Sequence, residues 1–511
     1  MFNRKIVLDL SNLLKIKRQL KRKNKKIVHC HGVFDLLHLG HIKYLQSAKK
    51  LGDFLVVSLT DDKFIDKSPN RPIFTNKQRA EAISSLSCVD CVIINNNKTA
   101  INIIKSLKPD FYCKGADYKN FKNDLTNQIS IEKKTVLKNK GKFRIINQEI
   151  FSSSKILNSH FNNFSKNIQK NIYQLKKEFR NIGEINFELE KIRNKKVLII
   201  GETIIDEYTY CEAIGKSGKE PVLNFRELSS EKYIGGALAI ANHLSSFCKE
   251  IHIISFLGQD LKHLSFIKEK LKKNVKVSFL RKKNSPTIVK KRLIEKVDKI
   301  KLLGIYDIDE KNISDQEANL FIKKINKNIN NYDTTIVADF NHGILTQKVC
   351  KFIQKKRKDK FNLMSQINSS SLSNFSMQKF KDAGLVVINE RELQHQMFDK
   401  SSDINILIKK FSKIFRCKKI IVTSGERGLS YYERKKNKIL KYDAFTDKYI
   451  DKIGAGDVVF GVSSLLISSK VNENLSLLIA SLAGYKAVNT IANKDFVDFK
   501  TIKNYLLNLF K

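Results

Sequence analysis

Hydrophobic residues along the chain fall into two alternating patterns. Lys26 to Cys30 reads as a short buried strand. After the glycine-containing stretch His31 to His41, the apolar residues Ile42, Leu45 and Ala48 return at helical spacing. Asp53 to Leu59 predicts a second strand, and a helix carrying Arg79 ends near Leu86. Cys88 to Ile94, Ile101 to Leu107 and Phe111 to Gly115 continue as strand, helix, strand, and Ile145-Ile146 follows. Such alternation predicts a parallel α/β sheet with ligands at the carboxyl ends of its strands. From about Asn158 to Asn194 the apolar positions thin to Ile172, Leu175, Phe179 and Ile182 among Lys, Asn and Glu, the pattern of a helical linker. Lys196 to Gly201 restarts the alternation, with further strands at Leu385 to Ile388 and Lys419 to Val422. The expected organisation is a domain over 1–160, a linker over 161–194 and a second α/β domain over 195–511.

A chain of 511 residues is too long for one core, and 42% hydrophobic content is enough for two. The net charge of +44 invites a nucleic-acid partner. The excess is mostly Lys, spread along the whole chain beside abundant Ile and Asn, as AT-rich codons produce, and no basic arm with interleaved aromatics stands out. The expectation is therefore no nucleic acid, although the charge helps attract phosphorylated substrates. Cys88 and Cys91 have metal or redox spacing without a second pair, inside an apolar run, so buried thiols of a reducing cytoplasm are expected. No apolar run approaches the ~18 residues of a membrane span, and no signal-peptide pattern opens the chain. A cytoplasmic protein with no membrane partner is expected, and a homo-oligomer is left open.

The stretch His31 to His41 carries the first candidate chemistry. Gly32 and Gly40 allow close backbone approach to a ligand. His38 and His41 lie three apart at a helix start, where free N–H groups and the dipole favour an anion. Two histidines alone could equally be metal ligands or core residues. The order strand, Gly, Phe34, Asp35, His38-Leu39-Gly40-His41 is far more specific, and it resembles the HxGH signature of the nucleotidyltransferase superfamily, in its cytidylyltransferase-like branch. The resemblance implies a Rossmann-like domain in which His38 and His41 contact a nucleoside triphosphate and stabilise the transition state, with Gly32, Phe34, Asp35, Gly40 and Arg79 on the nucleotide side. It also makes Lys114, before Gly115, the cation facing the phosphates, where a solvated surface lysine is the plain alternative. Ser152, Ser153 and Ser154 match the family's hydroxyl run at the triphosphate, and would equally serve as a helix N-cap. Glycerol-phosphate cytidylyltransferases carry an arginine shortly before this run; Asn147-Gln148-Glu149 stands here, which favours a sugar phosphate.

In the second half, Asp451-Lys-Ile-Gly-Ala-Gly-Asp457 precedes Val458, Phe460 and Leu465 at helical spacing. A Gly-Ala-Gly turn at a helix start offers successive N–H groups to an anion, and an adjacent Asp can take a proton from a hydroxyl. With Gly235-Gly236, Asn389-Glu-Arg-Glu392 and Thr423-Ser-Gly-Glu-Arg-Gly428, this resembles the ribokinase-like (PfkB) sugar kinases over 195–511. That resemblance makes Asp457 the catalytic base and Gly454, Ala455 and Gly456 the anion hole. It places Asn389 and Glu392 at Mg²⁺ and phosphates, Thr423, Gly425 and Gly428 at ATP, and Asp206, Gly235, Gly236 and Asn242 at the sugar. For Asp206 a turn carboxylate at a strand end is almost as good an account.

The two halves together resemble the bifunctional enzymes that phosphorylate heptose 7-phosphate at C1 and later transfer a nucleotide to the sugar 1-phosphate, as in ADP-heptose biosynthesis. Here the transferase half comes first, the reverse of the usual order. Asp339-Phe-Asn-His-Gly343 also stands where Asp-Tyr-x-Lys-Gly is expected, with His342 in place of the lysine. The implied substrates are a phosphosugar and ATP, with CTP as the alternative in the transferase half, and the implied metal is Mg²⁺ alone. A protein with one inactive half kept as a scaffold, and a basic nucleic-acid-binding protein, are the competing classes.

Overall fold

Strands form where the apolar runs predict them, and the order in which they lie side by side creates a crevice in each half of the chain. A computed structural model describes residues 5–7, 9–65, 69, 71–116, 128–147, 164–357, 360–367 and 377–510. The chain divides after Asn163 into one unit of residues 1–163 with 504–509 and 511, and a second of 164–503 with 510. Ser152, Ser153 and Ser154 lie outside the described residues.

In the first unit β1 (Ile6–Val7), α1 (Leu10–Arg22), β2 (Ile27–Gly32), α2 (Leu39–Lys49), β3 (Phe54–Thr60), α3 (Asn76–Ser84), β4 (Cys91–Asn95), α4 (Ile101–Leu107), β5 (Phe111–Gly115), α5 (Gln128–Lys138) and β6 (Lys142–Ile146) follow in order. The strands are parallel in the order β1-β4-β3-β2-β5-β6. Alternate strand residues face opposite ways. Val28, Leu55, Val57 and Val92 meet Leu45 and Ala48 of α2 and Ala80 and Ile83 of α3. Ile27, Val56, Cys91 and Ile93 meet Leu13 of α1 and Ile103 and Leu107 of α4. The sequence winds outward both ways from β2 and β5, so their carboxyl ends flank a topological switch point, where such sheets bind ligands.

The stretch expected as a linker forms α6 (Lys166–Glu178) and α7 (Ile182–Arg193), which belong to the second unit. Asn167 bonds Asp443 at 2.8 Å, Glu178 accepts from Asn474 at 2.6 Å, and Glu188 accepts from the Asn472 backbone at 2.7 Å. Next come β7 (Lys196–Gly201), β8 (Thr203–Lys216), β9 (Leu223–Gly235), α8 (Gly236–Leu244), β10 (Glu250–Gly258), α9 (Leu264–Lys270), β11 (Val275–Lys282), β12 (Ile288–Glu295) and β13 (Lys301–Asp307). The chain continues through α10 (Asp315–Asn328), β14 (Thr334–Asp339), α11 (Gln347–Lys356), β15 (Phe361–Ser365), β16 (Leu385–Asn389), α12 (Glu390–Met397), α13 (Ile404–Ile414), β17 (Lys419–Thr423), β18 (Leu429–Glu433), β19 (Lys438–Tyr442), α14 (Ala455–Ser468) and α15 (Glu473–Val488).

Its large sheet runs β11-β10-β7-β14-β15-β16-β17-β18-β19, parallel as far as β17 and antiparallel beyond. A second sheet runs β13-β12-β8-β9, and its strand β12 carries Lys290, Lys291 and Arg292 in succession. One face of the large sheet packs on Phe321, Val349, Leu393 and Phe411 from α10 to α13. Along α8 and along Asp457 to Leu466 of α14 every residue is buried, the mark of helices enclosed on all sides. All eight cysteines are free thiols, so Cys88 and Cys91 form no disulfide. No helix among the described residues is long and apolar enough to cross a membrane.

Phe411 is fully buried and stacks on Phe415 at 4.3 Å between ring centroids. Phe411→Ala is expected to destabilise the second unit by about 3–5 kcal/mol, since the cavity adds to the lost transfer energy. Denaturant unfolding followed by circular dichroism checks this, and a loss below about 1 kcal/mol would show that the core collapses into the gap.

Candidate functional site

In the first unit the crevice at β2 and β5 is rimmed by the start of α2. His38 is the N-cap, with an extended backbone, and its Nδ1 accepts the Gly40 N–H at 3.1 Å. A neutral ring that accepts at Nδ1 carries its proton at Nε2, so His38 presents an N–H donor on the other side. The His41 ring stacks on it at 3.9 Å, and Phe34 meets His41 edge-on at 5.0 Å. Phe34 holds a left-handed backbone, φ 50°, uncommon for a bulky residue. Its ring lies over Gly32, where an added Cβ would come within 2.9 Å of it, so Gly32 needs to be glycine. The two histidines, Gly32, Phe34 and Gly40 are thus gathered at one place.

Three other residues expected here are tied to protein groups. Asp35 is buried, accepts from the Ile73 and Phe74 backbone N–H groups at 2.7 and 3.2 Å, and pairs with Arg71 at 2.9 Å. Arg79 is also buried. It donates to the carbonyls of Phe74 (3.0 Å), Thr60 (2.8 Å) and Val33, and pairs with Asp62 at 2.6 Å. Both therefore brace the loops after β2 and β3 from within. Lys114, at the end of β5, is buried with its ammonium 3.1 Å from Glu132 and 3.3 Å from the His31 carbonyl. His31 shares Ser58 Oγ (2.8 Å) with His29 (2.7 Å), and burial, helped by Lys114, lowers its pKa to about 3. His31 therefore stays neutral.

In the second unit a cleft of about 510 Å³ opens over the carboxyl ends of β14 to β17. Its floor is the start of α14. Gly454 is the N-cap, with φ 85° and Asn493 Oδ1 only 2.5 Å from where a Cβ would stand, so no other residue fits. It caps no N–H with a side chain, and the first amides of α14 face the cleft, where Ala455 and Gly456 line it. Asp457, in the first turn of α14, is buried, and Gln366 donates to its Oδ1 at 3.2 Å. Burial first, then the Asp206 carboxylate, lift the Asp457 pKa to about 7; Lys290 and Gln366 oppose the rise. Asn389 and Glu392 form a reciprocal capping box at the start of α12: Glu392 N–H donates to Asn389 Oδ1 at 2.8 Å, and Asn389 N–H to Glu392 at 2.9 Å. Burial raises Glu392 to about 7 as well, against the pull of the Asn389 and Ile367 amides. Thr423, Gly425 and Gly428 line the opposite end.

Asp206 lines the cleft, but from inside β8 rather than from a turn after β7, and pairs with Arg292 at 2.6 Å. Gly236 lines the cleft too, and Gly235 packs against the Asp206 carboxylate. Asn242 does not reach it: buried in α8, it ties Lys270 O (2.8 Å) and Lys272 N–H (3.1 Å). His342 is buried, and burial, then Lys290, lower its pKa to about 3, so a neutral ring stands where the resemblance has a lysine. Gln366, Lys290 and Arg292 were missed. The run Ile288 to Glu295, with Lys290, Lys291 and Arg292 in succession, carries no alternation that would single out the last pair. No group of three His, Cys, Asp or Glu that could cage a metal occurs among the described residues. Mg²⁺ arriving on nucleotide phosphates needs only one or two carboxylates, and Glu392 beside Asn389 suits it.

Comparison with known proteins agrees with this division. Residues 29–159 match the cytidylyltransferase-like family model. Similar relatives include the bifunctional protein HldE of Campylobacter fetus subsp. fetus, 47% identical over 119 residues, covering 23% of this chain and 25% of that one. HldE of Helicobacter pylori strain J99 is 49% identical over 116 residues, covering 22% and 24%. The chain spans about a quarter of the length of the curated relatives it matches. Among solved structures, Arabidopsis thaliana ribokinase complexed with ribose and ATP is 15% identical, covering 62% of this chain and 99% of that one, with a TM-score of 0.47. Residues 194–475 match the pfkB family carbohydrate kinase model, more than half of the 511 residues, and the chain belongs to that family.

Proposed function

We propose that the chain catalyses two steps of nucleotide-sugar synthesis in the cytoplasm. A kinase domain of about 195–511 moves a phosphoryl group from ATP to C1 of a sugar phosphate resembling heptose 7-phosphate. A transferase domain of about 1–160 moves AMP from ATP to the sugar 1-phosphate and releases pyrophosphate. The observation that carries this is the buried Asp457 beside the uncapped start of α14, in a cleft long enough for a nucleotide and a sugar.

In the kinase step Asp457 takes the proton of the C1 hydroxyl, whose oxygen attacks the γ-phosphorus as the bond to ADP breaks. The amides of Ala455 and Gly456 face the charge that develops on the transferred group. Mg²⁺, held by the ATP phosphates beside Glu392 and Asn389, would supply charge neutralisation. In the transferase step a sugar-phosphate oxygen attacks the α-phosphorus and pyrophosphate leaves, with no covalent enzyme intermediate. His38, through Nε2–H, and His41 stand ready to stabilise that transition state. The relatives are named bifunctional proteins, in keeping with two reactions in one chain.

His41→Ala is expected to slow pyrophosphate release by on the order of 10² or more while kinase turnover persists, because the donors act in one site only. Pyrophosphate and ADP assays run side by side check this; unchanged pyrophosphate release removes His41 from the reaction.

Asp457→Asn should keep the fold and ATP binding and lose roughly 10²–10⁴ in kinase rate. In the wild type the base works only when ionised, so kinase kcat/KM should rise with pH through about 7 and flatten above it. A flat profile between pH 5.5 and 8.5, roughly the span a base of that pKa must show, would contradict the assignment.

For the transferase, ATP is expected to win clearly over CTP, because a mismatched base leaves buried polar groups unpaired. Pyrophosphate release from heptose 1-phosphate with each triphosphate decides it, and a preference for CTP overturns the choice.

A further inference from the structure

Two cations stand over the kinase cleft with no part in the steps above. Lys290 and Arg292 hold alternate positions of β12, so both side chains leave one face of the small sheet, and both line the cleft. In the parallel register of β8 and β12, Lys290 is opposite Asp206 and Arg292 opposite Tyr208. The Arg292 side chain is only 14% exposed. One edge of its guanidinium is fixed, since Nη1 donates to Asp206 Oδ1 at 2.6 Å and to the Lys290 carbonyl at 3.3 Å. The ring centroids of Tyr208 and Tyr306 lie 5.8 and 5.9 Å from its Cζ. Its Nε and Nη2 have no protein acceptor among the described residues. The Lys290 ammonium is 5.8 Å from the centroid of Tyr306.

A plain sugar presents only neutral hydroxyls, which side-chain amides and hydroxyls hold without desolvating a cation. An arginine clamped along one edge and open along the other has the fork that matches an oxoanion with two parallel N–H bonds. The Asp206 carboxylate and the Lys290 carbonyl hold that fork before a ligand arrives, so little freedom is lost on binding. Resting on the kinase assignment proposed above, we propose that Arg292, with Lys290 beside it, is the subsite for a phosphate already carried by the acceptor, and that this pair makes the cleft choose a phosphosugar over the same sugar without its phosphate. Asp206 then holds the guanidinium in place through Oδ1.

The test compares heptose 7-phosphate with the same heptose lacking its phosphate, using the full chain as wild type, Arg292→Met and Arg292→Lys. Kinase kcat/KM is measured on both sugars, and calorimetry gives the Kd of heptose 7-phosphate without ATP. The wild type should favour the phosphosugar by about 10³-fold, Arg292→Met should cut that ratio to about tenfold or less, and Arg292→Lys should fall between. Phosphosugar binding should weaken about 100-fold in Arg292→Met. A ratio unchanged in Arg292→Met, or an equal loss on both sugars with unchanged phosphosugar Kd, overturns the subsite. If the wild type phosphorylates neither sugar, the kinase assignment for heptoses fails and binding alone judges the subsite. Weaker phosphosugar binding by Arg292→Met then supports it, and equal or absent binding by both proteins overturns it.

Discussion

A carboxylate kept away from water is the constraint on which the larger unit depends. Asp457 sits at the head of a helix enclosed on all sides, and burial together with the Asp206 charge makes its ionised form costly. That cost is tolerable only because Gln366 donates to it and Lys290 lies within electrostatic reach. Gln366 follows β15 of the large sheet and Lys290 lies within β12 of the small one, so both sheets are needed to hold this carboxyl near neutrality. Gly454 completes the arrangement, because only a residue without a Cβ can turn the chain into α14 against Asn493.

The fold class was legible because apolar runs of strand length alternate with helical periods, and that signal survives a composition rich in lysine. Motif residues were legible where the backbone itself does the work. His38 caps the helix it begins, Gly454 makes the turn, and the Asn389–Glu392 spacing is that of a capping box, so each leaves a local trace in sequence. Partnerships across the sheet left no such trace. Gln366, Lys290 and Arg292 are brought to the cleft by strands far apart in the chain, and nothing in their neighbourhoods announces it.

Spacing fixes where a residue falls along an element, not which way it points. Asn242 falls on the expected helix, but a shift around its axis sends the side chain to Lys270 and Lys272 rather than to the cleft. Asp35 and Arg79 stand beside the first crevice and turn inward, each satisfying backbone groups of the loops that shape it. An arginine with three carbonyl partners behaves as a bolt through those loops. Lys114 likewise faces Glu132, a pairing that no local pattern could reveal because α5 lies well downstream of β5.

The reciprocal capping box at Asn389 and Glu392 has a consequence for how this sequence can drift. The same two side chains start a helix and face the cleft, so under the proposed kinase reaction inheritance filters them twice, once for folding and once for chemistry. A single replacement that spares one demand still breaks the other, and the two positions can change only together, as a pair able to cap each other. Lineages that have abandoned the proposed reaction should therefore keep this pair longer than they keep Asp457, whose burial as a charge is a burden once no hydroxyl needs a base.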